Sequence, residues 1–150
     1  MHLTHVPILR LMPLCRRSES EQKEDMAVAE AMQKKSLDSP DETRTFDQGQ
    51  SQVVSFGEDF AVTRSTLQPG WRWSEHVKPI AQTDSCQIPH TGYVVSGRLG
   101  VAMDDGSEEE FAPSDAYIIP PGHDGWVIGE EPLVVVEVSS EAAKRFAKEA

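Results

Sequence analysis

From about residue 46 to residue 139 the chain never runs far before a turn signal stops it. Phe60-Ala61-Val62-Thr63-Arg64-Ser65-Thr66-Leu67 is rich in β-branched residues and is closed by Pro69-Gly70. Trp71 to His76 follows and reads as extended, then Tyr93-Val94-Val95-Ser96 before Gly97, and Leu99 to Met103 before Asp104-Asp105-Gly106-Ser107. Asp and Gly tolerate positive φ, so that last group is a hairpin turn. Phe111-Ala112-Pro113-Ser114-Asp115 is a second turn, Ala116 to Ile119 ends at Pro120-Pro121-Gly122, and Trp126-Val127-Ile128 and Leu133 to Val138 complete the series. Short β-prone segments at this spacing specify an all-β sandwich or barrel.

The flanks differ. Residues 1–45 contain the polar run Ser18-Glu19-Ser20-Glu21-Gln22-Lys23-Glu24-Asp25 and a helix-prone stretch, Met26 to Lys35, with too few apolar positions for a core face. Ser39-Pro40-Asp41-Glu42 reads as a turn or linker. Residues 1–45 are therefore expected to be a mobile, disordered or partly helical tail. Met26 and Met32 stand as alternative translation starts to Met1. At the other end Ser140 is a suitable N-cap, and residues 140–150 are expected to form a short helix. The expected organisation is thus a tail (1–45), a barrel (46–139) and a terminal helix (140–150).

With 14 basic and 25 acidic residues among 150, the net charge is −11. That balance disfavours nucleic acid and anionic membranes as partners. No run of about 18 apolar residues is present to span a membrane. The apolar start Val6 to Cys15 is broken by Pro7, Arg10 and Pro13, and its basic pair Arg16-Arg17 follows it, the reverse of a secretory signal. The two cysteines, Cys15 and Cys86, do not make a disulfide framework. A cytoplasmic location is the expectation.

Histidines carry the chemistry. Gly70, five residues, His76 is followed later by His90, six residues, Gly97, and then by Ser114, five residues, Pro120-Pro121-Gly122-His123. On these motifs the region from about Gly70 to Val138, roughly half of the chain, resembles the cupin superfamily, small single-domain conserved-barrel proteins with a jelly-roll fold, here with degenerate motifs. The resemblance implies a metal held by three His and one Glu. This chain matches that set outright only at His76: Lys78 takes the place of a second His, His90 that of the Glu, and Gly125 that of the last His. His123 stands two residues before Gly125 and, in a strand, would share its face.

His76, His90 and His123 are therefore the expected ligands of a divalent metal, with Zn, Fe, Ni and Cu all compatible with imidazole. Cys86, four residues before His90, is a possible fourth ligand or an ordinary buried thiol. In an extended segment Arg72 and Ser74 would alternate with His76, so Arg72 is expected to bind a small organic ligand through a carboxylate, unless it makes a surface ion pair. Trp126 would line the barrel mouth or plug the core. The resemblance also implies a homodimer through outer strands, with Trp71 and Trp73 as contributors, unless the two pack against another sheet or the tail. The expected function is metal-dependent work on a small molecule, as an oxygenase or isomerase, with no general base assigned. The alternative is a non-catalytic small-molecule binding or sensing module without metal.

Overall fold

The computed structural model describes residues 32–57 and 60–139. The unit that begins at Lys34 carries the strands. The terminal helix expected over residues 140–150 and the tail up to residue 31 lie outside the described residues.

Among the described residues, nine strands form two antiparallel sheets. They are β1 (Glu42–Phe46), β2 (Gly49–Phe56), β3 (Phe60–Leu67), β4 (His90–Ser96), β5 (Leu99–Met103), β6 (Glu108–Phe111), β7 (Ala116–Ile119), β8 (His123–Val127) and β9 (Leu133–Ser139). One sheet has the order β1-β2-β3-β9-β4-β7, the other β6-β5-β8. Alternation sets the core. Leu133, Val135 and Glu137 of β9 face the same side as Val94, Gly92 and His90 of β4, while His123, Gly125 and Val127 of β8 turn inward from the opposite sheet. Val94 and Leu133, both fully buried, lie at the centre of this packing.

The strands begin at Glu42, four residues before the boundary read from the sequence. β1 pairs with β2 from Glu42↔Val53 to Phe46↔Gly49. Its residues are almost all exposed, as suits a sheet edge, and that polarity is why composition assigns it to a tail. The segment before it is tied down as well. Arg64 donates to Leu37 O at 3.1 Å and to Asp38 Oδ1 at 2.9 Å, and Lys35 pairs with Asp41 at 2.6 Å.

The segment after Gly70 departs from the extended reading. Trp73–His76 forms one helical turn (α1) and Lys78–Ala81 a second (α2), with a proline in the first turn of α2. The carboxylate of Asp124 accepts the Ser74 N–H at 3.0 Å and so caps the start of α1. Helical spacing replaces alternation, and Trp71 and Trp73 both enter the core at 8% exposure. They are therefore withdrawn from the outer-strand surface where the sequence reading put them as dimer contacts.

Candidate metal centre

A loop from residue 82 to 89 joins α2 to β4, and its middle crosses the end of β8. The Cys86 N–H donates to His123 O at 2.8 Å, and the Gly122 N–H donates to Cys86 O at 2.7 Å. Gly122 has φ +91°, a left-handed conformation suited to glycine, and the turn it makes delivers His123 as the first residue of β8. His90 is the first residue of β4 in the other sheet. The three elements thereby gather Cys86, His90 and His123, whose donor atoms lie within 4.8 Å of one another.

Hydrogen bonds orient both imidazoles. His123 Nδ1 lies 2.7 Å from the carbonyl of Pro120, which can only accept, so Nδ1 carries the proton. His90 Nδ1 likewise donates to Glu137 Oε1 at 3.0 Å. Each ring is left with Nε2 as its only possible ligand atom, and Nε2 of His90 lies 3.6 Å from Cys86 Sγ, where a metal would take the place of its proton. The two rings meet edge to face, with centroids 5.3 Å apart.

Glu137 is itself held. Tyr117 donates its hydroxyl to Oε1 at 3.0 Å. The tyrosine reaches across β4 because Gly92 lies in its path: a β-carbon there would stand 2.7 Å from the Tyr117 hydroxyl and 2.8 Å from Val136 O. A chain of contacts therefore runs from Gly92 through Tyr117 and Glu137 to His90.

The charges follow. Burial pushes the Cys86 thiol up, but its contacts with His123 and His90 outweigh this and bring it down to about 6. Burial opposes charge on His90, yet Cys86 and Glu137 raise it to about 10. Burial also raises the Glu137 carboxyl, while His90 and Tyr117 more than offset this and leave it below the usual value. Tyr117 is pushed up by burial and by the charge of Glu137, and stays protonated as a donor.

A thiolate with two Nδ1-protonated imidazoles is a donor set of the kind that binds Zn and related ions. The carboxylate behind His90 and the carbonyl behind His123 are the outer contacts such ligands ordinarily have. The residues present thus fit a divalent transition metal.

No protein-family model matches the chain, and no curated protein matches it. Solved structures do. A protein of unknown function from Rhizobium leguminosarum aligns at TM-score 0.55 with 19% identity over 73% of this chain and 97% of that one. The polyketide cyclase RemF from Streptomyces resistomycificus aligns at 0.53 with 20% identity, over 73% and 80%. A sugar phosphate isomerase of the cupin superfamily from Silicibacter pomeroyi aligns at 0.52 with 21% identity, over 73% and 76%. The chain has the cupin fold.

Within that cupin barrel the expected site residues part company. His90, His123 and Cys86 come together; His76 does not join them. Helix α1 folds the His76 ring back on its own turn, where Nδ1 lies 3.0 Å from the Arg72 nitrogen and 2.9 Å from the Arg72 oxygen, and Nε2 lies 3.8 Å from Asp47. Arg72 is neutralised by Asp124 at 2.8 Å and lies 4.6 Å from the Trp126 ring centroid. Asp124 and Trp126 alternate with the inward residues of β8, so this group lies on the face of the strand opposite His123. Arg72 is thus an ion-paired residue away from the cluster, and Trp126 packs over Gly100 rather than lining a mouth beside the histidines. Glu137 and Tyr117 were missed. The signal for Glu137 was present, since it is the one acidic residue in Leu133-Val134-Val135-Val136-Glu137-Val138 and shares parity with Leu133 and Val135.

Proposed function

We propose that the protein is a metal-binding cupin in which Cys86, His90 and His123 hold a divalent transition metal and a small organic molecule takes a remaining coordination position. Cys86 stands in the set in place of His76. The observation that carries this reading is that each imidazole has its Nδ1 engaged, by Glu137 and by Pro120, which leaves Nε2 for the cluster with Cys86, where a metal would displace the proton that His90 holds on Nε2. A thiolate with two imidazoles favours Zn, Ni or Cu over the hard cations Mg and Ca. When bound, the metal supplies a Lewis acid that polarises a coordinated oxygen. The chain's own residues do the rest: Glu137 keeps the proton on His90 Nδ1, Tyr117 fixes Glu137, and the loop carrying Cys86 closes one side.

A second reading has a specific observation behind it. Without metal, the 3.6 Å contact between Sγ and Nε2 and the 3.0 Å contact behind it form a thiolate, imidazolium and carboxylate in series, which suits a metal-free binding module. Metal analysis separates the two. Protein purified without an affinity tag is expected to carry or take up close to one metal per chain, lost in Cys86→Ala, His90→Ala and His123→Ala but kept in His76→Ala. No metal after reloading with Zn, Ni or Cu, or equal loss in His76→Ala, would overturn the proposal.

A further inference from the structure

The two sheets have unpaired margins at β6 and β7, and between these lies a cleft of about 310 Å³. Ligand pockets span roughly 300–1,000 Å³, so this one suits a molecule of about one ring and a short arm. Its walls are chiefly apolar, with Val101, Met103, Phe111 and Ile119 among them. It adjoins the candidate metal centre, for Met103 is the register partner of His123, Ile119 that of His90, and Pro120, also in the wall, accepts the His123 Nδ1 proton.

The rim is acidic. Glu108 and Glu109 both line the cleft, and Glu109 stands opposite Val101 on the same face of the sheet. Their neighbour Glu110 is paired with Arg98, whereas neither Glu108 nor Glu109 has an ion pair among the described residues. Among the described residues, no basic one lines the cleft. Alternation turns the Glu109 side chain, and not that of Glu108, to the face of Val101; a carboxylate at the entrance of an apolar slot attracts a cation and repels an anion, and a net charge of −11 adds to that preference.

We infer that this cleft is the small-molecule subsite of the metal centre, and that it takes an amine with an apolar body rather than the carboxylate expected from Arg72. The inference deepens the proposed function and rests on it for what the bound molecule lies against. The ammonium sits at Glu109, and the apolar body fills the slot toward Met103 and Ile119, beside the histidines.

Three probes with one ring and different charge test it: 2-phenylethylamine, 2-phenylethanol and 3-phenylpropanoate, titrated into the full-length chain and followed by amide NMR. The amine is expected to shift the resonances of Val101, Met103, Phe111 and Ile119 saturably, with an apparent Kd about tenfold below that of the acid at low salt and a smaller margin at high salt. The double substitution Glu108→Gln with Glu109→Gln, both on the surface, should remove that margin without changing metal content. Val101→Phe should fill the slot and abolish binding. Equal or tighter binding of the acid, shifts elsewhere only, or an unchanged preference in the double variant would overturn the inference. Amine binding that persists in protein unable to take up metal would sink the metal reading and leave the subsite standing. Metal uptake without amine binding would do the reverse.

Discussion

Replacing Glu137 tests the arrangement behind His90. Its Oε1 accepts from His90 Nδ1 at 3.0 Å and from Tyr117 at 3.0 Å. Glu137→Ala removes the acceptor for two donors. Each buried donor left without a partner costs about 1–3 kcal/mol. The His90 side chain keeps 27% exposure, so water replaces part of its loss, whereas Tyr117 is only 5% exposed. The lower end applies to His90 and the middle of the range to Tyr117, about 3 kcal/mol for the pair. Glu137→Gln separates charge from shape. Its amide oxygen still accepts from His90, and its amide N–H can face the Tyr117 oxygen, so the fold should lose less than in the alanine variant. Metal affinity should fall in both, by about 10–100-fold, the usual cost of losing a carboxylate behind a ligating histidine. That corresponds to about 1.4–2.7 kcal/mol. Competition against a chromophoric chelator gives the affinity, and urea unfolding of metal-free protein gives the stability. Wild-type affinity in both variants would refute the view that Glu137 orients a metal ligand.

Three further outcomes follow from the same contacts. Gly92→Ala puts a β-carbon against the Tyr117 hydroxyl and Val136 O, and since the latter is backbone it cannot yield; urea unfolding should show a loss of about 1–3 kcal/mol, and an unchanged midpoint would contradict the packing. In metal-free protein the lowered Cys86 pKa contributes stability that is complete above its ordinary 9.0 and lost as pH falls through about 6. The raised His90 pKa contributes stability that is complete below its ordinary 6.5 and lost as pH rises through about 10. The two slopes oppose each other between pH 6.5 and 9.0, so the urea midpoint should be nearly flat there and fall on either side; a profile identical in His90→Ala would count against the pair. Asp124→Ala removes the cap of α1 and the partner of Arg72, and should cost about 1–2 kcal/mol in urea unfolding while metal content stays at the wild-type level. Metal loss there would bring Arg72 back to the centre.

Much of the fold was legible because turn chemistry is local. Asp104-Asp105-Gly106 and Pro120-Pro121-Gly122 stop strands where the sequence says they stop. His123 was readable through parity alone, since β8 keeps strict alternation and Gly125 shares its inward face. His76 was not, because the motif spacing was read through an extended segment. The turn of helix at Trp73–His76 depends on a cap from Asp124, some fifty residues away, which no local pattern announces. The same turn moved Trp71 and Trp73 inside and bound Arg72 to Asp124. Cys86 stood open between ligand and buried thiol, because its place is fixed by backbone hydrogen bonds to His123 across a loop. β1 was lost for the opposite reason, since an edge strand can be polar on both faces.

The electronic spectrum of the cobalt-substituted protein bears on the central claim most directly, because it reports the sulfur ligand itself. The account predicts that Co(II) binds at one equivalent with a near-ultraviolet thiolate-to-cobalt charge-transfer band, that Cys86→Ala abolishes this band, and that His76→Ala leaves it intact. A cobalt complex without the band, or one whose band survives Cys86→Ala, would contradict a centre built on Cys86, His90 and His123.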